Sequence, residues 1–226
     1  MLFPKDLNTH PLEPLGIGNR LFYRCTRIFS LCLMKTYFRL RSEGPPPPPR
    51  GPFIVAANHE SFLDPIVLQL ALGARRVHYM MLASFYYTRL LNRYCNVMRC
   101  IPIREDGPNR ESLRLALDVL AAGRPVGIFP QGGRMAPGDM TGGMMGVGFL
   151  ARKAGVPVIP ARIDGCSRAL PVGALFPRPA RISVRLGAWL DFSGAGGGRG
   201  SLDEITQRIM SAIDVLRPES SRQYFS

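Results

Sequence analysis

The chain has 226 residues, of which 46% are hydrophobic, so it is long and apolar enough for one folded domain and is not a disordered protein. Its net charge of +13 favours a polyanionic partner: nucleic acid, an anionic membrane surface or a phosphorylated substrate. Five cysteines without a C-x-x-C pair, and only three histidines, argue against a disulfide framework and a zinc site and predict reduced, mainly packing thiols in a cytoplasmic protein.

The amino-terminal region shows the pattern of neither a secretory signal nor a membrane-spanning helix. No uninterrupted apolar stretch follows the start of the chain. The most apolar candidate, around residues 21–40, is interrupted by four bases, and its longest charge-free run covers only residues 28–34. A spanning helix needs about 20 apolar residues, so we expect no membrane span here.

Residues 16–42 contain six basic residues and no acidic one, and they predict a basic amphipathic helix. Arg20, Arg24 and Arg27 recur at helical spacing on one face. The predicted opposite face is apolar and consists of Phe22, Phe29, Leu33 and Leu40. Such a helix can lie in a membrane interface, where each base near an anionic leaflet contributes about 1 kcal/mol. The alternative is a solvated helix whose apolar side packs on the domain.

A proline run follows this helix and predicts a stiff spacer. Gly44 and the five prolines after it are incompatible with a continuing helix. The chain is therefore divided by prediction into an amino-terminal membrane-associating segment (1–44), a proline-rich linker (45–52) and a main domain (53–226).

Within the main domain, predicted strands and helices alternate. Such alternation is typical of a single α/β domain with a mixed, largely parallel sheet flanked by helices. The predicted strands cover residues 53–57, 77–82, 100–103, 126–129, 156–163 and 180–186. The predicted helices cover residues 65–72, 109–122 and 149–154, and a last helix follows a capping box formed by Ser201 and Glu204.

The stretch ANHESFLDP places His59 and Asp64 where a buried strand ends and a helix begins. Five residues at 100° each do not bring two side chains to one helix face, but a turn between them can fold the carboxylate onto the imidazole. Asp64 would then orient His59 through Nδ1 and leave Nε2 free as a base. The alternative is a plain turn in which Asp64 only caps the next helix. Glu60, between the two, is predicted to be solvated.

Two further patterns follow predicted strands. In IFPQGGRM, Gly132 and Gly133 let backbone N–H groups turn toward an anion, and Arg134 can form two hydrogen bonds with a phosphate. In RCIPIRED, Arg104 stands just past a short strand, where α/β folds place ligand-binding groups. An ordinary glycine turn and a surface arginine are the alternatives.

These patterns, in this order, resemble the lysophospholipid acyltransferase superfamily, typified by bacterial 1-acylglycerol-3-phosphate acyltransferases. That family carries an N-H-x-x-x-x-D block, which Asn58, His59 and Asp64 match, and a G-x-I-x-x-x-R-like block, which CIPIR at 100–104 matches loosely. Its F-P-E-G-[TG]-R and V-P-[VI]-[VI]-P blocks are matched by FPQGGR and VPVIP. The resemblance spans roughly residues 17–192.

The chain departs from the family pattern at Gln131, where the family usually has glutamate. Glutamine can donate and accept hydrogen bonds but carries no charge. This departure bears on the acyl acceptor more than on the chemistry.

The resemblance implies an acyltransferase that moves a fatty acyl group from acyl-CoA or acyl carrier protein to the free hydroxyl of a lysophospholipid. The expected acceptor is 1-acylglycerol-3-phosphate, which gives phosphatidic acid. His59 is then the general base and Asp64 the carboxylate that orients it. The implied substrate-binding residues are Asn58, Arg104, Gln131, Gly132, Gly133 and Arg134. No metal or resident cofactor is implied beyond the acyl thioester co-substrate, and the expected place of the protein is the cytoplasmic face of an anionic membrane, as a peripheral or monotopic protein.

Three rival interpretations stay open. The acceptor could be a different lysolipid or an aminolipid. The chain could be a lipid-binding member of the family with impaired catalysis, against which the intact His59 and Asp64 argue. A nucleic-acid-binding protein would fit the charge, but the basic stretches contain no recognisable nucleic-acid motif, and we expect no nucleic-acid partner.

Overall fold

A computed structural model describes residues 11–105, 109–136, 139, 143–174, 176–194 and 199–218. The first ten residues of the predicted amino-terminal segment and residues 219–226 of the predicted main domain lie outside this part. Within it, seven strands form one sheet in the order β1-β7-β6-β2-β5-β3-β4. The strands are β1 (Arg41–Glu43), β2 (Ile54–Ala57), β3 (His78–Leu82), β4 (Ile101–Ile103), β5 (Val126–Ile128), β6 (Val158–Asp164) and β7 (Ser183–Leu186).

The sheet is parallel except between β6 and β7, which confirms the predicted mixed, largely parallel sheet. β2 lies between β5 and β6, and pairs in parallel with both. Parallel neighbours end at the same edge of a sheet, so the segments that follow β2 and β5 meet there.

Helices cover both faces of the sheet. They are α1 (Ile17–Thr36), α2 (Asp64–Ala71), α3 (Arg89–Met98), α4 (Arg110–Ala121), α5 (Gly146–Ala154), α6 (Cys166–Ala169) and α7 (Arg199–Val215), with a 3₁₀ helix at Ala83–Tyr87. The buried residues form two clusters, because successive side chains of a strand point to opposite faces. Val55 and Ala57 of β2 face the α2 side, whereas Ile54 and Ala56 face the side of α4, α5 and α7.

Most predicted elements are present within a few residues of their predicted ends. The prediction lacks α3, α6, the 3₁₀ helix and β1. The last helix begins at Arg199, so Ser201 is helical and does not cap it. The hydroxyl of Ser201 instead accepts a hydrogen bond from Arg152 at 2.9 Å.

The amino-terminal helix differs from its prediction in length and in its faces. α1 ends at Thr36, and residues 41 and 42, predicted as part of that helix, belong to the edge strand Arg41–Glu43 that pairs with β7. Phe22 faces the domain, where the guanidinium of Arg93 lies 4.1 Å from its ring centroid, but Phe29, predicted on the same side, is exposed. The exposed apolar residues of α1 are Ile17, Leu21, Ile28 and Phe29. None of the described helices is long and apolar enough to cross a membrane.

The proline run lies against the domain. Arg75 donates hydrogen bonds to the carbonyl oxygens of Pro48, at 2.9 Å, and Gly51, at 2.5 Å. Gly44 has a φ of +105° and lies so close to the backbone of Leu186 that a Cβ would collide with it. These contacts tie the segment between α1 and β2 to the sheet.

Candidate active site

The turn after β2 is anchored by Asn58, which is 1% exposed. Its side-chain amide forms two hydrogen bonds with the backbone of Ile163: Oδ1 accepts from the N–H at 2.7 Å, and Nδ2 donates to the carbonyl at 2.8 Å. The side chain thereby continues the pairing of β2 with β6 beyond the end of the strand. Asn58 is expected among the substrate-binding residues, but its burial and these bonds give it the role of an anchor.

Asp64 folds back onto the turn that precedes it. It lies at the start of α2, is 1% exposed, and its Oδ2 is 2.8 Å from Nδ1 of His59. The same oxygen accepts the backbone N–H groups of Glu60 and Ser61, at 2.7 and 2.8 Å. Because a carboxylate only accepts hydrogen bonds, this contact places the imidazole proton on Nδ1 and leaves Nε2 as the basic nitrogen. The alternative, a plain turn in which Asp64 only caps α2, does not account for the contact between Asp64 and Nδ1 of His59.

The loop after β5 holds His59 from the other side. The backbone N–H of His59 donates to Oε1 of Gln131 at 2.9 Å, and the carbonyl of His59 accepts the N–H of Met135 at 2.9 Å. The imidazole stacks on Phe129, with the ring centroids 4.3 Å apart. Gln131 also donates from Nε2 to the carbonyl of Asp139 at 2.5 Å, so both ends of its amide bond the protein backbone. His59 keeps 17% of its side chain exposed, enough to meet a substrate.

Glu60 is buried, and the prediction that it is solvated is wrong. Its carboxylate accepts hydrogen bonds from Asn58, at 3.2 Å, and from Ser167, at 3.1 Å. Nη2 of Arg162 lies 3.5 Å away, and Nε of the same arginine lies 3.3 Å from Asp164. In the sequence, Arg162 is the residue that indicates a buried carboxylate, because a charge inside the apolar strand VPVIPARI needs a buried counter-charge.

Cys166 lies beneath this cluster as a neutral thiol. Burial and then the nearby carboxylate of Asp64 raise the pKa of Cys166 well above its usual range. A thiol that stays protonated is a poor nucleophile. Cys166 is therefore a poor candidate for a nucleophile beside the turn between β2 and α2 (residues 58–63), which we call the catalytic turn.

The second described histidine, His78, is unsuited to act as the base. It is 2% exposed, and Nδ1 lies 2.9 Å from the carbonyl oxygen of Arg99. Burial, followed by the positive charges of nearby arginines, lowers the pKa of His78 to about 4. Within the described part of the chain, no group of three or more His, Cys, Asp or Glu side chains is placed to hold a metal ion.

The predicted phosphate-binding residues lie along the same edge of the sheet. Arg134 is exposed, and its guanidinium lies 3.9 Å from the ring centroid of Phe62, which belongs to the catalytic turn. Gly132 has a φ of +74°, which favours glycine, and the Cβ position of Gly133 has open space around it. Arg104 is exposed after β4, and Asn109 accepts its backbone N–H at 2.7 Å. β3 separates β4 from β5, so Arg104 is farther along this edge than Arg134.

Known proteins are similar to this chain in sequence and in fold. The Acyltransferase family model matches residues 39–164. A 1-acyl-sn-glycerol-3-phosphate acyltransferase of Bacillus subtilis is 24% identical over 115 residues, 51% of this chain and 57% of that protein. One of Chlamydomonas reinhardtii is 30% identical over 141 residues, 61% of this chain and 42% of that protein. The chain thus spans about half the length of these relatives. The crystal structure of the 1-acyl-sn-glycerophosphate (LPA) acyltransferase PlsC from Thermotoga maritima matches with a TM-score of 0.64 and 21% identity, over 89% of this chain and 90% of that one.

Proposed function

Because the chain belongs to the Acyltransferase family, we propose that it transfers a fatty acyl group from an acyl thioester to the free hydroxyl of 1-acylglycerol-3-phosphate. The product is phosphatidic acid, and the donor is acyl-CoA or acyl carrier protein. The observation that carries the proposal is the contact of 2.8 Å between His59 Nδ1 and the buried carboxylate of Asp64, at the sheet edge that also bears Arg134. The relatives' names supply the acceptor.

The reaction needs a single base and no enzyme nucleophile. Nε2 of His59 takes the proton of the acceptor hydroxyl as its oxygen attacks the thioester carbonyl. The C–S bond of the tetrahedral intermediate then breaks, and the thiolate takes the proton back from the imidazolium and leaves as a thiol. Asp64 stabilises the imidazolium between the two steps and keeps the ring oriented.

The acceptor phosphate is assigned to the arginines of the same edge. The guanidinium of Arg134 lies over the ring of Phe62, and Phe62 belongs to the same turn as His59. A phosphate bound to Arg134 therefore places the rest of the acceptor near the base. The backbone N–H of Gly133 completes the phosphate pocket, whereas the N–H of Gly132 donates to the carbonyl of Phe129 at 3.1 Å. Arg104 contributes charge from farther along the edge.

The exposed face of α1 is assigned to an anionic membrane surface. Ile17, Leu21, Ile28 and Phe29 are exposed there, and Arg20, Arg24 and Lys35 are exposed beside them. An apolar face bordered by bases suits a helix that lies in the headgroup region. The protein would act as a peripheral or monotopic enzyme on the cytoplasmic face of the membrane that contains its substrates.

The test is a transfer assay with the full chain. Labelled acyl-CoA and acyl carrier protein are each offered with a panel of lysolipids and aminolipids in vesicles, and the products are identified by mass. We expect phosphatidic acid from the wild type and none from His59→Ala. A different acylated lipid would overturn the acceptor assignment but keep the chemistry. Lipid binding without any transfer would identify a family member that has lost catalysis.

A further inference from the structure

The loop between α6 and β7 carries two exposed apolar side chains that the catalytic site does not use. Val172 is 68% exposed and Phe176 is 80% exposed. Scattered exposed apolar residues are normal on a protein surface, so their exposure alone decides nothing. It is the position of these two side chains relative to the catalytic turn and to α1 that indicates a function.

The loop is a closed and anchored structure. At its base the N–H of Arg178 donates to the carbonyl of Ala169 at 2.7 Å, which brings the two ends of the loop together. At its tip the N–H of Ala174 donates to the carbonyl of Pro171 at 3.0 Å, and Gly173 supplies a φ of +84°. These backbone hydrogen bonds fix the turn that carries the exposed Val172.

The loop also joins two parts of the proposed function. On one side the hydroxyl of Ser61, in the catalytic turn, donates to the carbonyl of Leu170 at 3.0 Å. On the other side the hydroxyl of Tyr37, just after α1, donates to the carbonyl of Pro177 at 3.3 Å. The exposed pair Val172 and Phe176 therefore lies between the end of α1 and the catalytic turn.

The charged side chains of the chain segment that carries this pair are all basic. Residues 165–190 contain no acidic side chain. Arg168, Arg178 and Arg181 in this stretch are exposed, as is Arg39 after α1. An apolar tip surrounded by arginines is complementary to a bilayer with anionic headgroups, because the apolar groups enter the acyl boundary while the bases stay at the headgroups.

We propose that Val172 and Phe176 form a second membrane-docking tip, which inserts into an anionic bilayer beside the α1 face and brings the catalytic turn to the lipid surface. This inference rests on the membrane docking of the proposed function and adds a site to it. With two contacts at separate places, the orientation of the active site toward the bilayer is set, whereas a single helix leaves the protein free to rotate about its axis.

The test measures vesicle binding of the full chain by flotation. The vesicles contain phosphatidylcholine alone or equal parts of phosphatidylcholine and phosphatidylglycerol. We expect Val172→Ser/Phe176→Ser to bind the anionic vesicles about tenfold more weakly than the wild type. The matched control is Val215→Ser, which removes a side chain of 69% exposure at the end of α7 and should bind as the wild type does. Transfer to a water-soluble short-chain acceptor should be unchanged in both variants.

A second measurement reports insertion directly. The chain has one tryptophan, Trp189, so Phe176→Trp in a Trp189→Phe background moves the only indole to the tip. Its emission should shift to shorter wavelength with anionic vesicles. An unshifted emission would overturn the tip. The tip would also be overturned, and the α1 face kept, if Val172→Ser/Phe176→Ser bound vesicles as the wild type does while Leu21→Ser/Ile28→Ser lost binding. Absence of binding by the wild type would overturn both membrane assignments, and absence of transfer with tip-dependent binding would overturn only the chemistry.

Discussion

The side chain of Gln131 holds the backbone of His59, with Oε1 of Gln131 2.9 Å from the His59 nitrogen. The other end of the same amide donates to the carbonyl of Asp139. Glutamine in place of the family's usual glutamate has two interpretations: it retunes the acceptor pocket, or it only ties the Gly132–Gly133 turn, a role that glutamine and glutamate serve equally. The contacts favour the second, because both ends of the amide bond the backbone of the two loops that meet at His59.

Gln131→Glu should therefore change the rate and not the acceptor preference. A carboxylate can still accept the N–H of His59 but cannot donate to the carbonyl of Asp139, and loss of one neutral hydrogen bond costs about 1 kcal/mol. Because this bond helps to position His59, we expect that loss in the transition state, which is roughly fivefold in rate. Gln131→Ala, which loses both bonds, should be slower still. The measurement is kcat/KM for phosphate-bearing and zwitterionic lysolipids. A changed ratio between these acceptors in Gln131→Glu would restore the retuning hypothesis.

His59→Ala should abolish transfer in a folded protein, because no other described histidine can replace the base. Asp64→Asn should lower kcat on the order of 10³–10⁴-fold, by analogy with other histidines oriented by a carboxylate. Single-turnover kinetics and circular dichroism separate chemistry from folding. Near-full activity of folded His59→Ala would refute the mechanism.

Arg134→Ala should raise the KM for the phosphate-bearing acceptor more than the KM for the acyl donor. A charge-assisted hydrogen bond contributes on the order of 1.5–3 kcal/mol. Arg208 offers a matched control, since it is also exposed and also lies over a phenylalanine, Phe192, at 5.1 Å. Arg208→Ala should leave both KM values unchanged. Equal effects of Arg134→Ala on donor and acceptor would indicate a structural role.

Arg162→Met should destabilise the fold strongly, because Arg162 is 3% exposed and lies against the buried Glu60 as well as Asp164. Removing one member of a buried ion pair typically costs 3–5 kcal/mol, and we expect about that loss in urea unfolding. Arg185→Met provides the comparison, since Arg185 also contacts Asp164 but keeps 27% exposure, and its loss should be smaller. Adding Glu60→Gln to Arg162→Met should recover part of the stability; a further loss would contradict the pairing.

His78 should make stability depend on pH below neutrality. Burial lowers the pKa of its imidazole in the folded protein from 6.5 to about 4, so the unfolded chain binds the proton more tightly. The contribution of neutral His78 to the free energy of unfolding is present in full above pH 6.5. It is lost as the pH falls toward 4, and the free energy of unfolding then decreases by about 3 kcal/mol. His78→Asn keeps a donor for the carbonyl of Arg99 and should flatten urea-derived stability between these pH values. An unchanged slope would mean that other groups titrate there.

Local patterns in the sequence were sufficient to predict the strands and helices whose residues have a clear apolar run or a clear start signal. The apolar run before Asn58 predicts a buried strand, and Asp64-Pro65 predicts the start of a helix, because both depend on backbone preferences of neighbouring residues. The order of four short blocks was enough to identify the family. The pairing of His59 with Asp64 could be predicted as well, since both residues belong to one turn.

Only the tertiary structure decided what depends on distant partners. β1 consists of three exposed residues without an apolar pattern, and it is a strand because β7 lies beside it. Which face of α1 is buried follows from the helices α2 and α3 next to it, and the periodicity of α1 alone does not determine it. Glu60 is buried because the sheet brings Arg162 to it, about a hundred residues away in the chain. Periodicity describes local conformation, but partners at such separation are set by the sheet topology.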